Sequence, residues 1–431
     1  MSSPAGSKTA HLAGSGAARR SLDEAIVFAP LVAATFLAKL CLPPLGERGI
    51  GILYPIMAAA WSLGVATGRL KFDTRPLLLF FLTLTTLCGL QLAHSAVFSP
   101  SSFLFFIVVG LSYSVSGDRV TSRSAMKMFS DVATLIALLG IVQFALQFVH
   151  VDGFPIEHLV PERFRLQRYN NIAPLQWGSD IFKSNGLVMI EPSVFSQMCA
   201  LGIVLELVGR GRISRLAILI AALLVSYSGT GLVVLGVALS VYIVQFKRWK
   251  LVLYMALLLA LLLPFAEPLH LDRTLMRTHE IEASGSSGYA RFVAWRQMFA
   301  DHLWVDFGTA LTGNGAGTFG ALAFESGAAE MSFSKIIFEF GLLGGGIYFA
   351  FILYCFLANA APLVFRVAVC VTFLMNGAYD PWVPALATSL LIWPGRSGAS
   401  ARAAPERSRP LPRHDAGPRL EVIERLGDTP C

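Results

Sequence analysis

The chain is organised as a succession of apolar segments, each about as long as a helix that crosses a lipid bilayer. Such a helix needs about 20 mostly apolar residues. The composition agrees, since 55% of the 431 residues are hydrophobic and only 14% are charged. A mean hydropathy of +0.63 is typical of a polytopic membrane protein and not of a soluble globule. We predict an all-α fold with twelve spans, at residues 25–42, 49–66, 76–93, 102–117, 128–149, 187–208, 213–228, 230–246, 250–265, 332–356, 363–378 and 382–394.

Basic clusters in alternate connections predict the orientation of these spans. They are Arg69, Lys71 and Arg75; Arg119, Arg123 and Lys127; Arg210, Arg212 and Arg215; and Lys247, Arg248 and Lys250. Short connections rich in Lys and Arg stay in the cytoplasm, so both chain ends are expected there and the long loops 151–186 and 266–330 outside. The transmembrane domain is thus predicted over 25–394, between a cytoplasmic tail at 1–24 and a disordered cytoplasmic tail at 395–431. The net charge of +7 follows this topology and does not indicate a nucleic-acid partner.

Residues 213–246 form one apolar stretch that is too long for a single crossing. The sequence SYSGTG in its middle contains two glycines, and both flanks of the stretch are basic. These features predict a break into two short helices.

The loop 266–330 is the predicted working surface, because polar connections of this length are uncommon unless they carry function. Within it, Tyr289, Phe292, Trp295, Phe299 and Leu303 recur at intervals of three or four residues. That spacing predicts an amphipathic helix that lies at the membrane surface.

Arginines in the two long loops are candidate ligands for a lipid-linked phosphate or diphosphate. The guanidinium group keeps its charge in any environment and forms a rigid fork that matches phosphate oxygens. The candidates are Arg163, Arg165 and Arg277, with Lys335 in the apolar segment that follows. Alternatively, these arginines reach lipid headgroups or pair with nearby carboxylates.

Three ionisable groups, Glu191, Lys335 and Glu339, fall inside predicted spans, where charges are costly and usually functional. Glu191 lies before Pro192, which is expected to kink the span and open a polar site; alternatively, Glu191 neutralises a neighbouring arginine. Lys335 and Glu339 are four residues apart and either pair with each other or serve the site.

Two glycine-rich pieces predict close packing. The stretch LTGNGAGTFG lacks the Lys-Ser/Thr of a phosphate loop, so we expect it to approach another backbone or a ligand. The run Gly341 to Gly346 predicts close contact between helices. No group of residues has metal-ligand spacing, and neither a metal nor another cofactor is expected.

Five pieces of the chain resemble the superfamily of O-antigen ligases and Wzy-type polymerases of the bacterial inner membrane. They are SNGLVMIEPSVFSQ, LLVSYSGTGLVVL, SSGYARFVAWRQMF, LTGNGAGTF and FSKIIFEFGLLGG, in this order and within residues 180–350. The resemblance implies metal-independent, inverting glycosyl transfer on the outer face of the membrane, from a glycan on undecaprenyl diphosphate. It places a functional arginine at Arg291. Polymerases of this family are also described by an arginine or a histidine followed by glycine at a fixed spacing. Here Arg277 with Gly288 and His302 with Gly313 have that spacing.

Two departures from the ligase pattern favour a polymerase. Ligases typically carry a histidine where this chain has Glu330, and Ser-Arg where it has Ser228-Gly229. For a polymerase, donor and acceptor are both lipid-linked repeat units, and a flippase and chain-length or export proteins are expected partners. The alternatives are a ligase that attaches finished glycan to another acceptor, and a flippase for lipid-linked oligosaccharide.

The attacking sugar hydroxyl must lose a proton, so a base within hydrogen-bond reach is expected. Three residues on the external side are candidates, in the order Glu330, Glu191 and His302. Glu330 leads because it stands where ligases have histidine.

The topology is testable with reporter fusions after residues 170 and 310. We expect both to be active only as external reporters, because both positions fall in loops on the side opposite the basic clusters. A cytoplasmic signal from either fusion would contradict the orientation.

Overall fold

A computed structural model describes residues 7–43, 50–94, 99–118, 120–151, 153–166, 171–175, 178–209, 211–250 and 286–377, together with Tyr169, single residues between 252 and 264, Asp380 and residues 382–394. The described elements are, in order, α1 (Ser7–Phe36), β1 (Cys41–Leu42), β2 (Ile50–Gly51), α2 (Leu53–Ala66), β3 (Leu70–Phe72), α3 (Thr74–Ala93), α4 (Pro100–Tyr113), β4 (Val115–Gly117), α5 (Ser122–Leu146), α6 (Pro155–Leu159), α7 (Pro192–Val208), α8 (Ile213–Val225), α9 (Gly229–Phe246), α10 (Ser287–Phe292), α11 (Ala294–His302), α12 (Phe307–Thr312), α13 (Thr318–Ser326), α14 (Ser332–Leu357), α15 (Leu363–Met375) and α16 (Trp382–Ala387). The described part of the chain is therefore mostly helical, with two short antiparallel strand pairs.

Four described helices are long and apolar enough to cross a membrane: Thr74–Ala93, Ser122–Val149, Gly229–Phe246 and Ser332–Leu357. Shorter apolar helices accompany them, α7, α8 and α15 among them. The helices also expose large apolar side chains, such as Leu78 and Leu82 on α3 and Val142 on α5. A soluble protein rarely exposes so continuous an apolar surface, so this is the pattern of an α-helical membrane protein. The count of twelve spans stays a prediction, and the span at 250–265 lies for the most part outside the described residues.

Both ends of the predicted first span differ from expectation. Helix α1 begins at Ser7, inside the predicted N-terminal tail, and ends at Phe36. Residues 37–42 form a turn and β1, which pairs with β2. The break predicted in residues 213–246 is confirmed, since α8 ends at Val225 and α9 begins at Gly229. Helices α8 and α9 both pack against α7.

One end of the bundle, called the basic end here, carries the connections 67–73, 114–121 and 209–212. Strands β3 and β4 pair there, and the Arg69 guanidinium forms an ion pair with Asp23. Arg215 lies 2.6 Å from Asp131 and 3.5 Å from buried Glu206. These contacts place described residues of the clusters that contain Arg69, Arg123 and Arg215 at one end of the molecule.

The opposite end, called the loop end here, gathers the described parts of the connections 37–52, 150–191, 286–331 and 376–381. Leu166 N donates to Lys39 O, and Lys39 Nζ donates to Leu187 O, both at 2.8 Å. Arg291 of the second long loop lies 3.6 Å from Glu191, which follows the first. The described parts of both long loops therefore lie at the same end, as the alternation of charge predicts.

The loop end has a small hydrophobic core of its own. Helices α10 and α11 are separated at Val293, and the apolar face predicted to meet lipid packs against α13 and the start of α14. Phe299 and Leu303 are almost fully buried there, beside Phe319 and Phe338. The prediction of one amphipathic helix with its apolar face toward lipid is therefore wrong, because two helices form and the same spacing packs their apolar face inside the protein. Their location relative to the membrane surface stays a prediction.

Helices α10 to α13 are called the cap here. Glycines make the contact between the cap and α14. Gly341 interrupts α14 with φ 65° and ψ −171°, so the carbonyls of Phe338 and Glu339 are left to accept from Asn314 N at 3.0 Å and Gly315 N at 2.9 Å. A Cβ on Gly341 would lie 2.3 Å from Leu311 O, and one on Gly313 2.4 Å from Glu339 O. The close approach to another backbone predicted for LTGNGAGTFG is confirmed. The expected helix packing of the glycine run is seen at Gly344, whose Cβ would meet Leu87 and Leu90 of α3.

We expect Gly341→Ala to destabilise the protein strongly, because the backbone angles are almost exclusive to glycine and the methyl group meets a backbone oxygen. Strain of this kind costs about 1–3 kcal/mol before the clash is added. Gly346→Ala is the matched control, since that glycine lies in the same run with nothing within 4 Å of an added Cβ. Thermal unfolding of purified protein in detergent should separate the two, and equal melting temperatures would contradict the account.

Candidate active site

An ion pair joins the two long loops at the loop end. Arg291, near the end of α10, has a guanidinium nitrogen 3.6 Å from a carboxylate oxygen of Glu191, and both side chains are mostly buried. Burial lowers the pKa of the Arg291 guanidinium from its ordinary value, and the charge of Glu191 opposes that change. Because arginine starts from so high a pKa, it stays cationic. The neutralisation of an arginine by Glu191, predicted as the alternative, is therefore present.

Glu191 does not lie inside a kinked helix, and this prediction is wrong. It has extended backbone angles immediately before α7, and Pro192 is the first helical residue. Proline is well suited to that position because its missing N–H needs no intrahelical partner and its φ is already helical. The Glu191 carboxylate also accepts a hydrogen bond from Ser193 Oγ at 2.7 Å. The site therefore lies at a helix start and needs no helix kink.

Lys335 bridges two carboxylates on the first turns of α14. Its Nζ atom lies 2.7 Å from Glu330 Oε2 and 3.6 Å from Glu339 Oε1. The Glu339 side chain is fully buried, whereas that of Glu330 is 44% exposed. The pairing of Lys335 with Glu339 predicted from their spacing is confirmed. Lys335 already contacts two carboxylates, so a diphosphate would have to compete with Glu330 and Glu339 for its ammonium group.

Backbone contacts hold the segments of the site together. Ala329 N donates to Ala290 O at 2.9 Å. The next residues along the chain, Glu330 and Arg291, therefore lie on neighbouring backbone segments. The backbone of Ser332 donates to Asn376 O at 2.7 Å. A Cβ on Gly377 would lie 3.2 Å from Glu330 O and 3.7 Å from Asp380 Cβ. The connection between α15 and α16 therefore packs directly against the start of α14.

Asp380, in that connection, is a site residue that the sequence analysis missed. Burial raises the pKa of Asp380 to about 6, a hydrogen bond from Trp382 N lowers it, and the nearby charge of Glu191 raises it. Burial also raises the pKa of the Tyr169 phenol, and the carboxylates of Asp380, Glu191 and Glu330 raise it further. Asp380 and Tyr169 therefore face the other acidic groups. A signal was present in the sequence, because an acid in the short connection between two apolar segments has few ways to reach water.

The charged side chains described so far in this site form one group, called the charged cluster here. It consists of Arg291, Lys335, Glu191, Glu330, Glu339 and Asp380. Within the described residues it contains four carboxylates and two cations. An arginine beside several carboxylates, one of which titrates near neutral pH, suits a reaction in which negative charge develops on one atom and a proton leaves another.

The described residues Arg163, Arg165 and His302 make other contacts. Arg163 is exposed, with its guanidinium 4.9 Å from the Phe164 ring centroid, and Arg165 forms a backbone bridge with Leu40, just after the C-terminal end of α1. His302 is exposed at the end of α11, with its ring 6.4 Å from that of Phe338. Arg277 lies outside the described residues.

A buried amide network supports the segment that leads to Glu191. Gln143 of α5 donates to Asn185 Oδ1 at 2.9 Å and to Gly153 O at 2.8 Å, while its own oxygen accepts from Ser184 Oγ at 2.8 Å. Fully bonded buried amides fix local geometry because any alternative leaves a polar group unpaired. The sequence SNG before α7 is therefore a structural anchor for the site.

Comparison of the chain with protein-family models, with curated proteins and with solved structures finds no match. The functional argument therefore depends on the residues and their geometry.

The raised pKa of Asp380 predicts a pH-dependent stability. The carboxyl loses its proton near pH 6 when folded but near pH 3.9 when unfolded, so the free energy of unfolding falls as pH rises from about 4 to about 6. Asp380→Asn keeps the hydrogen bond from Trp382 and removes the charge. We expect its melting temperature to match wild type near pH 4 and to exceed it by a few degrees above pH 7, since one to two pKa units correspond to about 1.4–2.7 kcal/mol.

Asp301→Asn, at an exposed carboxylate, controls for the change of residue type. Thermal unfolding at pH 4 and pH 7.5 makes the comparison. An Asp380→Asn variant that is less stable than wild type by the same amount at both values would show that burial does not disfavour the charged form.

Proposed function

We propose that this chain is a membrane glycosyltransferase of the Wzy type, which polymerises repeat units of a surface polysaccharide carried on undecaprenyl diphosphate. The transfer is inverting and needs no metal, and it takes place on the outer face of the bacterial inner membrane. Donor and acceptor are both lipid-linked glycans. The expected partners are the flippase that supplies them and proteins that set chain length or export the product.

The observation that carries this proposal is that the five pieces on which the resemblance was based are joined by direct contacts. Ser184 N donates to Val225 O, and Gly231 N donates to Ser196 Oγ, which links the first piece to the second. The Glu191–Arg291 ion pair links the first to the third. The glycine contacts at Gly313 and Gly341 link the fourth to the fifth. The Phe299 and Phe338 rings, 5.8 Å apart between centroids, link the third to the fifth. Pieces spread over more than 150 residues thus contact one another, and three of them supply Glu191, Arg291, Lys335 and Glu339 to the charged cluster, as is expected of a shared site.

The chemistry that we propose is a single displacement. The acceptor hydroxyl oxygen attacks the anomeric carbon of the donor sugar, the bond from that carbon to the diphosphate oxygen breaks, and the lipid diphosphate leaves with the electron pair. Arg291 stabilises the negative charge that develops on the leaving oxygen. The Glu191 carboxylate lies 3.6 Å from the guanidinium, a separation longer than that of a direct charged hydrogen bond of about 2.8 Å. A diphosphate oxygen competes with this carboxylate for the same guanidinium.

Asp380 is the base that fits best. Among the earlier candidates, Glu330 is held by Lys335 at 2.7 Å, and Glu191 is occupied by Arg291 and Ser193. His302 is exposed at the end of α11. Asp380 has a pKa of about 6, so it is mostly ionised at neutral pH yet basic enough to take the hydroxyl proton.

A deletion strain tests the proposed function. If the chain is a polymerase, cells that lack it accumulate single lipid-linked repeat units that face outward. Long lipid-linked polymer in the deletion strain would instead indicate a ligase, and repeat units that face inward would indicate a flippase. Either result would overturn the polymerase assignment.

Arg291 variants returned to that strain test the site. We expect Arg291→Ala to reduce polymer synthesis by about 10²–10³-fold, because a fixed positive charge is lost from the leaving group. Arg291→Lys is expected to be badly impaired as well, since an ammonium group cannot replace the fork of the guanidinium. Arg296→Ala is the matched control, because Arg296 follows on α11 and is exposed. Normal polymer from both Arg291 variants, at wild-type protein levels, would contradict the assignment.

A further inference from the structure

A surface cleft lies between α11 and α13. Its volume is about 290 Å³, and its lining includes the buried side chains Ala294 and Met298 with the partly buried Leu322. Small-molecule sites in proteins occupy about 300–1,000 Å³, so the cleft is large enough for a small part of a longer molecule. It starts at Tyr289, two residues from Arg291 on α10, and consecutive Cα atoms are about 3.8 Å apart. The Cα atoms of Tyr289 and Arg291 are therefore less than about 8 Å apart, while side chains two residues apart on a helix point to different sides. A glycan of several sugar units is long enough to contact both residues.

The polar lining of the cleft has a definite chemical character. It consists of the phenol of Tyr289, the amide of Gln297, the imidazole of His302, the hydroxyl of Ser326 and two carboxylates, Asp301 and Glu325. Gln297 Nε2 donates to both carboxylate oxygens of Asp301, at 2.9 and 3.0 Å, so these two side chains hold each other in place. Among the residues that the structure describes, neither lysine nor arginine lines the cleft.

This lining determines the charge and polarity of the ligand that the cleft can bind. Two carboxylates whose described neighbours include one histidine but neither lysine nor arginine disfavour phosphate and other anions, so the described lining does not resemble a diphosphate site. Carboxylate, amide and hydroxyl groups are partners for sugar hydroxyls, while the apolar floor of Ala294, Met298 and Leu322 suits the C–H face of a pyranose ring. The lining thus matches a neutral or amino-sugar glycan better than an anionic ligand.

We propose that the cleft between α11 and α13 binds neutral or amino sugars of the glycan, a short distance from the reacting bond at Arg291. This inference rests on the proposed function for the origin of that glycan, whereas the binding itself is measurable without any transfer reaction. His302, predicted as a catalytic base, becomes a binding residue on this account.

The test is binding of the full-length protein, in lipid nanodiscs, to an array of free oligosaccharides. The array contains neutral, amino-sugar and uronic-acid members. We expect wild type to bind neutral or amino-sugar members and to bind those with uronic acids at least about 10-fold more weakly, because of the acidic lining. In Asp301→Ala/Glu325→Ala the loss of two charged hydrogen-bond acceptors should weaken the bound members by at least about 10-fold. Both side chains are exposed, so the fold is retained.

Asp180→Ala is the control, because Asp180 is an exposed acid of the other long loop. It should bind like wild type. The proposal is overturned if wild type binds no neutral or amino-sugar oligosaccharide, if it prefers the uronic-acid members, or if the double variant binds as tightly as wild type. Failure of the polymerase assignment appears separately, as a deletion strain with normal polymer, and leaves the binding result to stand by itself.

Discussion

The structure depends on the cost of placing charged groups among apolar ones. A charge that leaves water needs a partner, and breaking a buried pair by removing one member typically costs about 3–5 kcal/mol. In this chain the partners come from distant segments, since Arg291 pairs with Glu191 across about 100 residues of sequence. Lys335 contacts Glu330 and fully buried Glu339 at the start of α14. Each pairing is therefore also a constraint on how the loops at the loop end meet the helices beneath them.

Glycine provides the second constraint, because it allows two backbones to approach more closely than any side chain permits. The interruption of α14 at Gly341 leaves helix carbonyls to accept from Asn314 N and Gly315 N. The same interruption lies two residues beyond Glu339. The cap and the charged cluster are thus fixed by one local feature of α14, so a change at Gly341 is expected to disturb both.

Patterns confined to one segment were predicted well. The glycines of SYSGTG predict the break between α8 and α9, and the spacing of Lys335 and Glu339 predicts their pairing. Patterns whose meaning depends on the rest of the fold were misread. The apolar face around Phe299 was assigned to lipid because a sequence cannot show that α13 covers it. Pro192 was read as a kink although it begins a helix. Asp380 was missed altogether, because its environment is created by residues that lie far away in the sequence.

The central claim is that the charged cluster carries out glycosyl transfer with Asp380 as the base, and the pH dependence of that transfer tests it most directly. The measurement uses purified protein and isolated lipid-linked repeat unit, with the rate of the first coupling followed from pH 5 to pH 8. Wild type is predicted to lose activity as pH falls through about 6, where Asp380 takes up a proton. Asp380→Asn is predicted to be slower by about 10²-fold at pH 7.5 and to show no such dependence. A variant with the wild-type rate and the wild-type pH profile would contradict the account.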